Sequence, residues 1–174
     1  METAEGIVVK SPGNEYSVRT TEGKVLMCKL RGQFRMHGIK TTNPVAVGDR
    51  VEYSFDGDNS SKATISRILP RRNCIIRKST NLSRESHIFA ANLDRVFLIV
   101  TMILPETKLA FVDRFLLTCE AYGVRPVIVI NKMDLYSEDC LKEQVERFEQ
   151  IYRGAGYETL DLSTRTGLGL ERVR

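Results

Sequence analysis

Asn131-Lys132-Met133-Asp134 follows the apolar run Pro126-Val127-Ile128-Val129-Ile130, so a polar quartet stands where a buried strand would deliver side chains to a ligand. The Asp134 carboxylate can accept two parallel N–H bonds, the pattern that guanine presents through N1–H and its exocyclic N2 amine. Adenine presents an acceptor at N1 and no amine beside it. A site built around such a pair rejects the wrong base by roughly 10⁴ or more, because a buried polar partner is then left unbonded. Asn131 can bond N7 or brace neighbouring loops, the apolar stem of Lys132 can lie along the base plane, and Met133 completes the loop. The competing reading of the same residues is a polar turn that caps the next helix.

The elements around this loop decide what it can do. Asp94 to Thr101 is a continuous apolar stretch of the kind buried on both faces of a parallel sheet. Leu109, Val112, Leu116 and Cys119 recur at helical spacing, Phe111 and Phe115 widen the stripe, and Gly123 stops it. The second strand is 126–130. Ser137 is placed to cap a helix running from Glu138 to Tyr152, closed by Arg153-Gly154, and Tyr157 to Leu162 reads as a third strand. This β-α-β-α-β order implies a parallel, right-handed α/β layer with its ligand edge at the carboxyl ends of the strands. Ser163-Thr164-Arg165-Thr166 follows the third strand and falls on that same edge. Alone it reads as a Ser/Thr-rich turn capping a final helix; beside Asn131 to Asp134 it can close on the same base.

Residues 6 to 68 follow another grammar. Strand-like runs begin at Gly6, Tyr16, Val25, Arg50 and Ala63, punctuated by Pro12-Gly13, Glu22-Gly23 and Asp56-Gly57. Five strands in that space predict a small closed barrel, an OB-fold or, on strand count alone, an SH3-like barrel. The charge is concentrated here. Residues 1–72 carry 12 basic and 8 acidic side chains, whereas residues 91–174 carry 11 and 13. Lys62 to Arg84 holds seven Lys or Arg without an acid, and Lys29 to Lys40 holds four, also without an acid. Acid-free basic stretches suit a polyanion such as RNA, with a solvated surface as the alternative. An oligonucleotide-binding barrel would use Arg31, Arg35 and Lys40 on its loops, with Arg71, Arg72, Arg77 and Lys78 following its last strand.

At 42% hydrophobic and 28% charged, with no apolar run near 20 residues and no secretory start, the chain reads as a soluble, cytoplasmic protein without a membrane span. Cysteines at 28, 74, 119 and 140 form no C-x-x-C pair and are expected to be buried thiols; no metal site is expected. A nucleotide hydrolase also needs a phosphate cradle of the form G-x-x-x-x-G-K-[ST]. Gly23-Lys24 is the only Gly-Lys pair, and Val25 follows it. In the usual GTPase order that cradle precedes the base loop, so a base loop near residue 131 with no cradle upstream is out of order.

That order, together with Gly6-Ile-Val-Val, Arg31-Gly-Gln-Phe-Arg35, Val47-Gly-Asp-Arg-Val51, Ile68-Leu-Pro-Arg-Arg-Asn73, Ala90-Ala-Asn-Leu-Asp-Arg-Val96, Val112-Asp-Arg-Phe-Leu116 and Val129-Ile-Asn-Lys-Met-Asp-Leu135, resembles the circularly permuted, ribosome-associated GTPases of the RsgA (YjeQ/YloQ) family. The resemblance implies an N-terminal all-β, five-stranded OB-fold barrel followed by part of a circularly permuted α/β GTPase domain with a parallel sheet. The expected division is an RNA-binding barrel over 1–72, a basic linker over 73–90, and over 91–174 the first part of the GTPase domain, ending before the phosphate loop. It makes Asn131, Lys132, Met133 and Asp134 the first guanine loop and Ser163, Thr164 and Arg165 the second. The second departs from the usual Ser-Ala-Lys but keeps the Thr164 backbone N–H for guanine O6.

By the same resemblance the full-length protein would hydrolyse GTP to GDP and phosphate with Mg²⁺ and assist late maturation of the small (30S) ribosomal subunit. It would bind rRNA through the barrel and hold Zn²⁺ in a further C-terminal domain. A monomer is expected at full length. This chain would be an inactive fragment of such a protein, or a shortened relative that lost hydrolysis. The rival reading is a non-catalytic OB-fold RNA-binding module whose α/β half is structural.

Overall fold

The computed structural model describes residues 3–31, 44–55, 63–78 and 86–173, and the chain divides into two compact units, Met1–Leu93 and Asp94–Arg174.

Alternation builds the first unit. In β1 (Thr3–Lys10) Gly6 and Val8 are buried while Ile7 and Val9 face out, as a pleated strand with one core face requires. With β2 (Glu15–Thr20), β3 (Val25–Leu30), β4 (Arg50–Phe55) and β5 (Ala63–Ile68) it closes a barrel in the order β1-β2-β3-β5-β4. Antiparallel pairs carry most of the wall, with Val8 opposite Val18, Tyr16 opposite Cys28 and Gly6 opposite Val51. The β3–β5 contact is parallel, Cys28 facing Ala63. That crossing gives the OB-like order and decides between the two barrels that strand count left open. Val8, Tyr16, Val18, Cys28, Val45, Val51, Tyr53, Ala63 and Ile65 fill the interior. A one-residue slip of any strand would turn its share of this set to solvent.

The barrel is clamped at one end by a buried ion pair. Asp49, fully buried, accepts from Arg71 Nε at 2.6 Å and Arg71 Nη2 at 2.7 Å, and from the Ala46 amide at 2.8 Å. Arg71 Nη2 also donates to the Pro44 carbonyl at 2.8 Å, so both charges have their hydrogen bonds met. Next to the clamp, Gly48 turns at φ +90°, and a Cβ there would land 2.0 Å from the Ala91 carbonyl oxygen. Only glycine fits this approach.

Residues 73–90, expected as a linker, are instead built into the first unit. They hold β6 (Cys74–Lys78) and β7 (Ser86–Ala91), an antiparallel pair with a bulge between Ile75 and Ile76. Val47 bridges to Ala90, the Asn92 side chain donates to the Gly48 carbonyl at 2.9 Å, and Asn73 exchanges bonds with Leu93 at 2.7 and 2.8 Å. The sequence hides such strands because their apolar runs, Ile75-Ile76 and Ile88-Phe89-Ala90-Ala91, are short and stand within a basic stretch whose residues 79–85 are mostly polar.

The second unit is a three-stranded parallel sheet in the order β10-β9-β8, with β8 (Arg95–Val100), β9 (Arg125–Ile130) and β10 (Glu158–Asp161). Helices α1 (Leu109–Ala121) and α2 (Asp139–Gly154) both pack on one face, where Val112, Leu116, Val145, Phe148 and Tyr152 meet Leu98, Val100, Ile128 and Ile130. Tyr152 donates to Asp113 at 2.8 Å and ties the two helices together. On the other face Val127, Val129, Leu160 and Leu162 pack with Leu170 and Val173.

Three sequence expectations are corrected in detail. β8 is not buried on both faces: Ile99 is 58% exposed and Phe97 37%, because the packing of that face centres on β9 and β10. Ser137 does not cap α2; Glu138 occupies the cap position with no side-chain bond, and its carbonyl accepts from the Leu141 and Lys142 amides. Cys28 and Cys119 are buried, Cys74 is half-buried and Cys140 is exposed. Burial pushes the Cys28 thiol up to about 11. Among the described residues no helix is long and apolar enough to cross a membrane.

Candidate functional site

β9 ends at Ile130 between two neighbours, and the chain leaving it is stitched to both. The Asn131 amide donates to the Val100 carbonyl of β8 at 2.8 Å, and the Met133 amide donates to the Leu162 carbonyl just past β10 at 3.1 Å. Lys132 adopts φ +68°, a left-handed turn that reverses the chain into a single 3-10 turn over Met133–Leu135. The Lys132 ammonium donates to the Leu104 carbonyl, which lays its aliphatic stem across the loop surface.

These constraints converge on Asp134. Ser163, fully buried, donates from Oγ to Asp134 Oδ1 at 2.6 Å, and its Oγ accepts from the Thr166 amide at 3.2 Å. Arg165 Nη1 stands 3.7 Å from Asp134 Oδ2, with the arginine side chain 79% exposed and the carboxylate 14%. A loose pair with one exposed partner contributes little, so the buried serine sets the carboxylate's direction. Each carboxylate oxygen keeps acceptor capacity beyond these bonds. Asn131 Oδ1 accepts from the Lys132 amide at 2.8 Å and from the Thr164 amide at 3.4 Å, joining the two loops.

The second loop is held by its own backbone. The Ser163 amide donates to the Leu168 carbonyl at 3.0 Å and the Gly167 amide to the Ser163 carbonyl at 2.9 Å. Gly169, at φ +72°, passes so close to β10 that a Cβ would stand 2.1 Å from the Asp161 carbonyl oxygen.

All seven residues read from the sequence as base contacts therefore lie on one edge of the sheet. Tyr136 escaped that reading. Its hydroxyl donates to the Asn131 carbonyl at 2.8 Å and accepts from the Met102 amide at 2.9 Å, and the residue is buried. A tyrosine two positions beyond the motif reads as one more apolar contact in sequence, so only its hydroxyl hinted at this role. Burial raises the phenol pKa, the backbone bonds at Met102 and Ile103 oppose that, and the nearby Asp134 charge adds to it.

The basic residues are engaged in different ways where the structure describes them. Arg31 is exposed just past β3. Arg71 is consumed by Asp49, and Arg72 reaches the Asn92 and Leu93 carbonyls at 3.4 and 3.1 Å. Arg77 and Lys78 lie on β6, while Arg35 and Lys40 fall outside the described residues. No group of three or more His, Cys, Asp or Glu side chains among the described residues could hold a metal ion.

An OB-like barrel ahead of a parallel α/β layer, with strand-end loops in the order seen here, defines the class as a circularly permuted GTPase-type protein. Residues 5–65 match the RsgA N-terminal domain family and residues 68–174 the RsgA GTPase family, and the chain belongs to that family. It is 47% identical over 171 residues to the small ribosomal subunit biogenesis GTPase RsgA of Flavobacterium psychrophilum, covering 97% of this chain and 52% of that protein. The Bacteroides fragilis protein of the same name is 45% identical over 170 residues, covering 98% and 54%. Among solved structures, YjeQ from Thermotoga maritima aligns with a TM-score of 0.77 at 38% identity, over 99% of this chain and 56% of that one. YloQ, described as a circularly permuted GTPase, aligns with a TM-score of 0.69 at 29% identity, over 94% and 53%. The chain spans about half the length of the curated relatives it matches.

Proposed function

We propose that this chain forms the barrel and the base-recognition half of a GTPase that binds the small ribosomal subunit and hydrolyses GTP during its maturation. The observation that carries this reading is the Asp134 carboxylate aimed by buried Ser163, with the Thr164 amide beside it. Asp134 would accept N1–H and the N2 amine of guanine. Thr164 N–H would donate to O6, Asn131 Nδ2 to N7, and the Lys132 stem would line the base. Met133 and Arg165 would flank them. Mg²⁺ at the phosphates and Zn²⁺ in a further domain would draw their ligands from outside the residues described here. The working division is the barrel with its β6–β7 hairpin over 1–93 and the GTPase part over 94–174, in a cytoplasmic, monomeric full-length protein.

The full-length protein is expected to turn over GTP faster with small ribosomal subunits than without, and this 174-residue chain to show no turnover, since the groups that stabilise a transferring phosphoryl are missing. Hydrolysis by the pure chain would overturn the domain assignment, and indifference to subunits would remove the ribosomal part.

The barrel is proposed to meet rRNA through Arg31, Arg35 and Lys40 and through Arg77 and Lys78 of the hairpin. Arg71 leaves this set, and Arg72 has backbone carbonyls to satisfy. Some three phosphate contacts predict a slope of about −2 in log affinity against log salt for single-stranded RNA. A flat response, measured by fluorescence anisotropy across 50 to 200 mM salt, would exclude phosphate contacts.

A further inference from the structure

We infer that Tyr136 is a positioning residue of the base site, its hydroxyl bridging the Asn131 carbonyl and the Met102 amide so that the loop holding Asp134 has one conformation. The inference rests on the reading of Asn131 to Asp134 as a guanine loop, and it adds a residue that lies outside that motif.

The peptide between Asn131 and Lys132 is the hinge of the loop. Its carbonyl accepts from the Tyr136 hydroxyl at 2.8 Å, and its N–H donates to Asn131 Oδ1 at 2.8 Å. Rotating this peptide would break both bonds and disturb the Asn131 side chain, which also receives the Thr164 amide. It would also release the left-handed turn at Lys132 from which the Met133–Leu135 turn starts. Asp134 sits in the middle of that turn. Tyr136 therefore fixes the backbone that carries Asp134, whose carboxylate Ser163 then aims, without approaching the base.

The second arm of the bridge reaches another element. Met102 is the second residue of the segment between β8 and α1, and it is 34 positions away in the chain. The same segment supplies the Leu104 carbonyl that holds the Lys132 ammonium. It is itself shaped internally, the Thr101 amide donating to Thr107 Oγ1 at 3.1 Å and the Thr107 amide to the Thr101 carbonyl at 2.8 Å. Phenol and lysine thus fasten the base loop to one preformed wall at two points. Removing the hydroxyl strands a buried amide and leaves a half-buried carbonyl without its donor, and the cheapest relief is movement of the loop.

Tyr136→Phe in the full-length protein tests this with GDP and inosine diphosphate, which lacks the exocyclic amine. A misaimed carboxylate loses the outer of its two bonds first. GDP affinity should fall roughly tenfold, inosine diphosphate affinity should fall several-fold less, and discrimination between them should shrink accordingly. Equal losses on both nucleotides, or no loss on either, would overturn the inference. Asp134→Asn serves as the reference: if it weakens GDP while Tyr136→Phe does not, the positioning role fails and the guanine reading stands. If Asp134→Asn leaves GDP untouched, both fail. Hydrogen exchange at the Met102 amide of the wild-type protein gives a reading independent of any variant. Strong protection is expected, and exchange as free as that of an exposed amide would remove the bridge.

Discussion

Asp134→Asn in the full-length protein is expected to lower GTP affinity by about 10³-fold and to favour xanthosine triphosphate over GTP. The carboxylate offers guanine two acceptors; an amide offers one acceptor and one donor. Ser163 Oγ donates to Oδ1 at 2.6 Å, so the variant keeps its oxygen on the serine and turns its new NH₂ towards the place of Oδ2. That NH₂ then faces a guanine N–H, donor against donor. Two bonds to a charged acceptor at roughly 1.5 to 3 kcal/mol each make a loss of about 4 kcal/mol reasonable, which is the stated thousandfold. Xanthine carries a carbonyl where guanine carries its amine and accepts from the new amide. Titration calorimetry with both nucleotides measures the reversal, and an unchanged GTP affinity would sink the role assigned to Asp134. The two side chains are nearly equal in size, so the melting temperature should hardly move.

Arg71→Ala should destabilise the first unit by about 3 to 5 kcal/mol. Asp49 is fully buried, and Arg71 meets both its oxygens and the Pro44 carbonyl. Beside that carboxylate the guanidinium is held more firmly protonated than usual, chiefly through the side-chain bond to Asp49. Truncating the arginine strands a charge away from water, which costs far more than losing an exposed pair. Urea unfolding read by protection of the buried Cys28 thiol reports on the barrel directly. A change under about 0.5 kcal/mol would mean that the clamp is idle. The double variant Arg71→Met with Asp49→Leu should recover part of the loss, because an apolar pair has no charge to strand. This experiment also separates two uses of one arginine: a phosphate contact would lower RNA affinity and leave unfolding alone.

The strands of the barrel were legible because alternation is a local signal. Gly6 to Lys10 and Arg50 to Phe55 announce a buried face within five or six residues; the structure keeps the limits of the second and starts the first three residues earlier, at Thr3. The closing order was not legible: Cys28 and Ala63 meet across 35 positions, and nothing near either names the other. The β6–β7 hairpin stayed hidden for another reason: its apolar runs, Ile75-Ile76 and Ile88 to Ala91, are short, and the basic, polar residues around them read as a connector. Ile99 shows the limit of composition. An apolar residue in an apolar strand reads as core, yet one face of β8 is open at that position.

The candidate site divides the same way. The sequence alone determined that a carboxylate stands four residues past a buried strand, that a Ser-Thr loop follows the next strand, and that both fall on one edge of a parallel sheet. Those facts follow from spacing and from the geometry of βαβ units. Only the tertiary structure decided that Ser163 aims Asp134, that Tyr136 bridges Asn131 to Met102, and that one arginine among seven similar basic candidates belongs to Asp49. Their separations of 29, 34 and 22 residues explain why. A hydrogen bond is won or lost over a few tenths of an ångström between groups brought together by folding, and local pattern carries no information at that range.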